Sequence, residues 1–238
     1  MAIQTRLFDY FHDDQKLIGE MAWDDALGSR PAVLVAPTWA GRTAFEGEKA
    51  RMLAELGYVG IAIDMYGDGQ TGSGVDECSA LMTPIVSDRA KLQARMAAAA
   101  TAARTLPETS SGPMGALGFC FGGLCVLDLA RSGGDVAGVV SFHGILSAPD
   151  NLEEPQISAR IMVLHGYDDP MADPTAMREF CDEMTRSGCD WQLHAYGQTT
   201  HAFTNPNAND PDFGTVYSAR AADRSFASMR SFLAEVLD

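Results

Sequence analysis

The chain has 238 residues, 46% of them hydrophobic and 21% charged, which is typical of a soluble globular protein long enough to bury a core. Its formal net charge of −15 argues against nucleic acid or an anionic membrane surface as a partner. No apolar run reaches the roughly 18–20 residues of a membrane-spanning helix, and residues 1–14 lack a signal-peptide pattern. Five cysteines without a Cys-x-x-Cys pair favour reduced thiols and a cytoplasmic protein.

The first half of the chain predicts a hairpin, two buried strands and two helices. Alternating or continuous apolar residues indicate strands at 3–12, 16–24, 32–36 and 59–63. Helical spacing of apolar residues and an alanine-rich run indicate helices at 45–56 and 86–106. Residues 65–84 are rich in glycine and show no periodicity, so we predict a long surface loop there, with an exposed Cys78.

The second half of the chain alternates strands and helices. Strands are predicted at 114–119, 136–141, 161–165 and 191–196. Helices are predicted at 124–131, 174–187 and 216–237. Repeated strand–helix units imply a mostly parallel central sheet with helices on both faces. We therefore predict a single α/β domain over residues 1–238, built as a three-layer sandwich.

A cysteine in a glycine-rich turn is the most informative motif of the chain. Residues 117–123 read Leu-Gly-Phe-Cys-Phe-Gly-Gly and lie between a predicted strand and a predicted helix. In this setting a nucleophile is held on a strained elbow, because only glycine tolerates the crowding on both sides of it. The usual elbow carries serine, so Cys120 changes the nucleophile from an alkoxide to a thiolate.

Two further strand ends carry side chains that suit such a nucleophile. Asp168 and Asp169 follow the strand at 161–165, and His201 follows the strand at 191–196. In a parallel sheet these strand ends meet at one edge. Nucleophile, acid and histidine in this chain order form the arrangement of α/β-hydrolases. The residues alone leave either aspartate open as the acid.

The predicted site supplies what a cysteine needs to react at neutral pH, where a free thiol is only slightly ionised. His201 can act as the base, and the helix after Cys120 presents its positive N-terminus to the sulfur. An acid on the far ring nitrogen fixes the histidine tautomer and stabilises the imidazolium. The backbone N–H groups of Phe121 and Trp39 are the predicted donors to a developing oxyanion.

Three motifs in this order, Gly-x-Cys-x-Gly-Gly, His-Gly-x-x-Asp-Pro and His-Ala-Phe-Thr-Asn-Pro, resemble those of the dienelactone hydrolase family over nearly the whole chain. The resemblance implies an α/β-hydrolase fold and a Cys-His-Asp triad that opens ester or lactone bonds without a cofactor. Carried over by position, Cys120 is the nucleophile and His201 is the base. Asp169 is the acid, because the Gly-x-x-Asp spacing of the family counts from Gly166.

The chain departs from the dienelactone hydrolases proper at substrate-binding positions. The family glutamate just before the oxyanion residue is Thr38 here, and the arginine four residues after the histidine is Asn205. Another family arginine lies before the elbow, and its counterpart by approximate alignment is Arg89. These departures imply an ester or lactone substrate other than that of the chlorocatechol-pathway enzymes.

Four residues are further candidates for substrate binding: Thr38, Arg89, His143 and Phe203. Core packing is the alternative for His143 and Phe203. No histidine pair has ligand spacing on one element, so we expect no metal, and the resemblance implies that no cofactor is needed.

The resulting hypothesis is a cysteine-dependent hydrolase of small esters or lactones that acts as a monomer or a small homo-oligomer. A ligand-binding or partner-binding protein of the same fold that has lost hydrolysis is the alternative, because the family glutamate is missing at position 38. A redox-sensitive Cys120 is a third hypothesis.

Overall fold

Eight strands form the central sheet in the computed structural model of the protein, which describes residues 2–152 and 157–238. The strands are β1 (Ile3–His12), β2 (Gln15–Asp24), β3 (Ala32–Ala36), β4 (Val59–Ala62), β5 (Gly115–Phe119), β6 (Gly138–Phe142), β7 (Arg160–Gly166) and β8 (Trp191–Tyr196). Their order across the sheet is β1-β2-β4-β3-β5-β6-β7-β8. β2 is antiparallel to both β1 and β4, and the remaining neighbours are parallel. The predicted mostly parallel sheet is confirmed.

Helices cover both faces of this sheet. They are α1 (Ala44–Glu55), α2 (Gly74–Val86), α3 (Arg89–Arg104), α4 (Phe121–Arg131), α5 (Pro174–Ser187) and α6 (Ala219–Leu237). Successive strand residues point to opposite faces. Leu34 accordingly packs in the cluster that holds α3, α4 and α5, whereas Val33 and Val35 pack in the cluster that holds α1 and α6. The predicted three-layer sandwich is confirmed.

The prediction of a loop over residues 65–84 is wrong in its second half, because Gly74–Val86 form α2. Ile85 of this helix is buried against the core, so tertiary packing stabilises a segment whose local propensity is weak. The flanking glycines and Pro84 within the helix obscured the helical pattern in the sequence. Cys78 is only 3% exposed, which corrects the prediction that it lies on the surface.

The loops after β3, β5, β7 and β8 meet at one edge of the sheet, because these strands are parallel. The segment between β8 and α6 contains a small antiparallel hairpin that the sequence did not predict, formed by β9 (Asn209–Asp210) and β10 (Thr215–Val216). Within residues 2–152 and 157–238, no helix combines the length and the apolar character that crossing a membrane requires.

Candidate active site

Cys120 lies at the turn between β5 and α4 in a backbone conformation that few side chains adopt. Its φ is 57° and its ψ is −116°, a positive-φ conformation that strains a non-glycine residue and that recurs at functional sites. A Cβ on Gly118 would lie 2.0 Å from the oxygen of Gly122, and a Cβ on Gly122 would lie 2.2 Å from the oxygen of Ala36. The glycines therefore permit the tight turn that presents a partly exposed Cys120 at the sheet edge.

His201 and Asp169 form a buried pair beside this turn. The Nδ1–H of His201 donates to Oδ2 of Asp169 at 2.7 Å, and each residue is only 2% exposed. Oδ1 of Asp169 accepts the backbone N–H of Met171 at 2.8 Å, which fixes the carboxylate. The neighbouring Asp168 has an exposed side chain, and its N–H is bound to the Thr199 oxygen. The structure therefore brings Asp169, rather than Asp168, to the histidine.

Cys120 lies close enough to His201 to affect its titration. Nε2 is buried and has no hydrogen-bond partner among the residues that the structure describes. The contact between a general base and its nucleophile is often long before a substrate binds. Burial alone lowers the pKa of His201, but the adjacent Cys120 thiolate and the hydrogen bond to Asp169 outweigh burial and raise the pKa to about 10. His201 is therefore protonated at neutral pH.

Glu46 anchors both ends of the loop that carries Trp39. Its side chain is fully buried, and Oε1 accepts the N–H of Thr38 at 3.0 Å. Oε2 accepts the N–H of Thr43 at 2.8 Å and the Thr43 hydroxyl at 2.7 Å. Burial raises the pKa of Glu46, and the hydrogen bonds from Thr43 and Thr38 oppose that effect. Sequence reasoning missed this residue, although its signal is present as the capping box Thr43-x-x-Glu46.

Tyr66 also contacts the loop that carries Trp39. Its hydroxyl donates to the Trp39 carbonyl at 2.8 Å, and its ring stacks on Phe121 with a centroid distance of 5.9 Å. Burial raises the pKa of Tyr66, so the phenol stays protonated as a donor. Phe121 is the first residue of α4, and its N–H is among those that a helix leaves without an internal acceptor. The two predicted oxyanion residues are thus connected through Tyr66.

His143 lies directly against His201 and is buried. The two rings meet edge to face at 5.1 Å, and Nε2 of His143 is 2.8 Å from the Thr204 hydroxyl oxygen. Burial and the charge of His201 lower the pKa of His143, so this ring is neutral. Phe203, with no exposed surface, packs edge-on against His143 at 5.2 Å. The packing alternative for His143 and Phe203 is therefore the one that fits their positions.

Arg89 is bound inside the protein. Its guanidinium makes two hydrogen bonds of 2.5 Å to the fully buried carboxylate of Asp128. The same carboxylate also contacts Arg131, which is paired with Glu183. This ion-pair network links α3, α4 and α5. The geometry argues against our sequence-based assignment of Arg89 to substrate binding. Thr38, in contrast, lies at the site and is partly exposed.

The elbow cysteine, the carboxylate-bound histidine and the mostly parallel sheet define an α/β-hydrolase arrangement. Residues 20–237 match the model of the dienelactone hydrolase family, and the chain belongs to this family of hydrolases.

Several known proteins resemble this chain over much of its length. A dienelactone hydrolase-like promiscuous phosphotriesterase from metagenomic libraries has a crystal structure with a TM-score of 0.94 and 35% identity, covering 100% of both chains. An uncharacterized Caenorhabditis elegans protein is 35% identical over 63% of this chain and 98% of its own. A probable 2-oxo-3-(5-oxofuran-2-ylidene)propanoate lactonase of Bradyrhizobium sp. is 26% identical over 85% of this chain and 86% of its own.

Proposed function

We propose that this protein is a cysteine-dependent hydrolase of small carboxylic esters or lactones that works through an acyl-enzyme. The observation that carries the proposal is the 2.7 Å Asp169–His201 pair beside a cysteine held at positive φ on the elbow. The lactonase among its relatives supports the substrate class. No cofactor enters the chemistry that we propose.

In the first half-reaction the Cys120 thiolate attacks the carbonyl carbon of the ester. The N–H groups of Phe121 and Trp39 bind the oxyanion that forms. As the tetrahedral intermediate collapses, the C–O bond breaks and the leaving oxygen takes the Nε2 proton of His201. Asp169 holds the imidazole in the required tautomer throughout. The product of this step is a thioester on Cys120 and a free alcohol.

In the second half-reaction, water hydrolyses the thioester. Neutral His201 takes a proton from the water as its oxygen attacks the thioester carbonyl. The C–S bond then breaks, the carboxylic acid leaves, and the sulfur departs as the thiolate. The imidazolium–thiolate pair is thereby restored for the next turnover.

A second candidate function is the hydrolysis of phosphate triesters. The full-length similarity to the promiscuous phosphotriesterase favours it, because that relative shares 35% of the sequence. The same cysteine would attack phosphorus in place of a carbonyl carbon. We expect this activity to be slower than ester hydrolysis and to depend on the same three side chains.

The test is a time course with p-nitrophenyl acetate that resolves the first turnover. We expect steady turnover by the wild type, and its loss in both Cys120→Ala and His201→Ala. Cys181→Ala is the matched control, because Cys181 is a partly exposed cysteine on α5, outside the site. Turnover that survives Cys120→Ala refutes the mechanism. A stoichiometric burst without turnover refutes the hydrolase and favours a protein that only binds or becomes acylated.

A further inference from the structure

Two aromatic side chains from distant parts of the chain stack beside the proposed site. The ring centroids of Trp39 and Phe213 are 6.0 Å apart, and the ring planes differ by 21°. Phe213 is 44% exposed, and Trp39 is partly exposed. An exposed aromatic pair at a site is a surface on which a further planar group can stack.

The two rings belong to two different loops of the proposed site, one with the proposed oxyanion donor and one bound to the backbone of His201. Trp39 lies in the loop between β3 and α1 (residues 37–43), here called the oxyanion loop because it carries the proposed donor Trp39. Phe213 directly precedes Gly214. The Gly214 carbonyl accepts the N–H of His201 at 3.0 Å. Gly214 also packs against Pro170, since an added Cβ would lie 2.3 Å from the Pro170 ring. Phe213 is therefore held next to the segment that carries His201.

Several arginines on the elements around the site are already bound within the protein. Arg42 is held by Glu20 and the Ile18 oxygen, Arg89 by Asp128, and Arg95 by the Met65 oxygen. Arg220 and Arg224 line a separate cavity of about 140 Å³ whose described lining includes none of the triad. With a formal net charge of −15, the chain favours an uncharged substrate over a carboxylate.

We propose that the Trp39–Phe213 stack binds a flat aromatic group in the leaving half of an uncharged ester, so that the substrates are uncharged aryl esters. This inference rests on the proposed function. The C–S bond to Cys120 forms, the C–O bond to the aryl group breaks, and the phenol leaves with the proton of His201. The Trp39–Phe213 stack lies between the proposed oxyanion donor and the segment that carries His201, so the ring of the leaving group can extend the stack.

The experiment compares phenyl acetate with hexafluoroisopropyl acetate, whose alcohol has an acidity close to that of phenol but lacks a ring. The ratio of their kcat/KM values is measured for the wild type, Phe213→Leu and Phe213→Tyr. Phe11→Leu is the control, because Phe11 is 60% exposed on β1, away from the site. We expect Phe213→Leu to lower the preference for phenyl acetate about three- to tenfold, and the other two variants to retain it.

A second pair of substrates tests the charge preference. 4-Acetoxybenzoate and its methyl ester present the same ring with and without a carboxylate. We expect the charged ester to be the poorer substrate in kcat/KM by about tenfold, because it places an unpaired anion at the site. Equal rates, or a faster charged ester, would overturn the charge assignment.

These outcomes separate the inference from the function on which it rests. If the wild type turns over neither acetate, the proposed function fails. If it turns over both and the ratio is unchanged in Phe213→Leu, the function stands and the aromatic site is refuted. Thermal unfolding of each variant shows that a changed ratio does not come from a misfolded protein.

Discussion

Glu46→Gln tests how the oxyanion loop is held in place. Glutamine has the size of glutamate and keeps one side-chain oxygen, which can still accept the N–H of Thr38. Its amide nitrogen replaces Oε2, which accepts the N–H and the hydroxyl of Thr43. The Thr43 hydroxyl can rotate to accept a hydrogen bond from the glutamine amide. The Thr43 N–H, however, then faces the same amide group, which is also a donor. The variant therefore releases one end of the loop without leaving a cavity.

The expected magnitude follows from these contacts. A hydrogen bond to a charged group contributes about 1.5–3 kcal/mol, and an unsatisfied buried N–H costs a similar amount. We expect Glu46→Gln to lower the free energy of unfolding by about 2–3 kcal/mol. Complete loss of an oxyanion donor lowers kcat by about 10²–10³-fold. The Trp39 N–H is displaced and not removed, so we expect kcat to fall by about tenfold with little change in KM.

The assay combines urea unfolding with steady-state kinetics on p-nitrophenyl acetate. Glu48→Gln is the matched control, because Glu48 is exposed on the same helix and makes the same change of charge. If Glu46→Gln lowers stability but leaves kcat at the wild-type value, Glu46 is only a helix cap and the proposed effect on the oxyanion loop is wrong. If both quantities are unchanged, the three hydrogen bonds do not contribute as we describe.

Three further variants test the rest of the site. Asp169→Asn should lower kcat by about four orders of magnitude through the wrong histidine tautomer, whereas Asp168→Asn should change it by less than about twofold. Cys120→Ala should lower the pKa of His201 from about 10, because burial then acts without the thiolate, and NMR titration of the ring measures this. The raised pKa of His201 means that its proton stabilises the folded protein. This contribution to the free energy of unfolding is fully present below pH 6.5 and is lost as the pH rises to about 10, so Cys120→Ala should lose less stability than the wild type over that range. Arg89→Met should destabilise the fold by about 2–4 kcal/mol, because it removes one of the two guanidinium groups that pair with the buried carboxylate of Asp128, with KM for an uncharged ester unchanged. A raised KM at normal stability would instead place Arg89 at the substrate site.

The sequence predicted those parts of the fold that local patterns determine. The strand at 32–36 is buried on both faces, so its apolar run is continuous and unambiguous. The helix at 174–187 carries an aspartate N-cap before its first residue and a glycine after its last. The helix α2 was missed because its sequence contains a proline and its stability comes from packing against residues elsewhere in the chain.

The residues of the proposed triad could be named from the sequence, whereas the residues that support them in the structure could not. Cys120, Asp169 and His201 stand in short motifs at strand ends, where position alone brings them together. Glu46 reaches the Thr38 N–H across the whole β3–α1 loop, and Phe213 reaches Trp39 from the other end of the chain. Contacts of this kind depend on how the loops fold over the sheet edge, which the local sequence does not encode.

In the mechanism that we propose, Thr38 and Glu46 together bear on what activates Cys120. The carboxylate of Glu46 binds three donors of the oxyanion loop, so activation of the sulfur falls to His201 and the N-terminus of α4. His201 must be protonated to release the alcohol and neutral to activate water. The charge of the thiolate raises the pKa of His201, and acylation removes that charge. Burial, which lowers the pKa, is then opposed by Asp169 alone, so in the proposed mechanism formation of the thioester shifts His201 from an acid towards the base that deacylation requires.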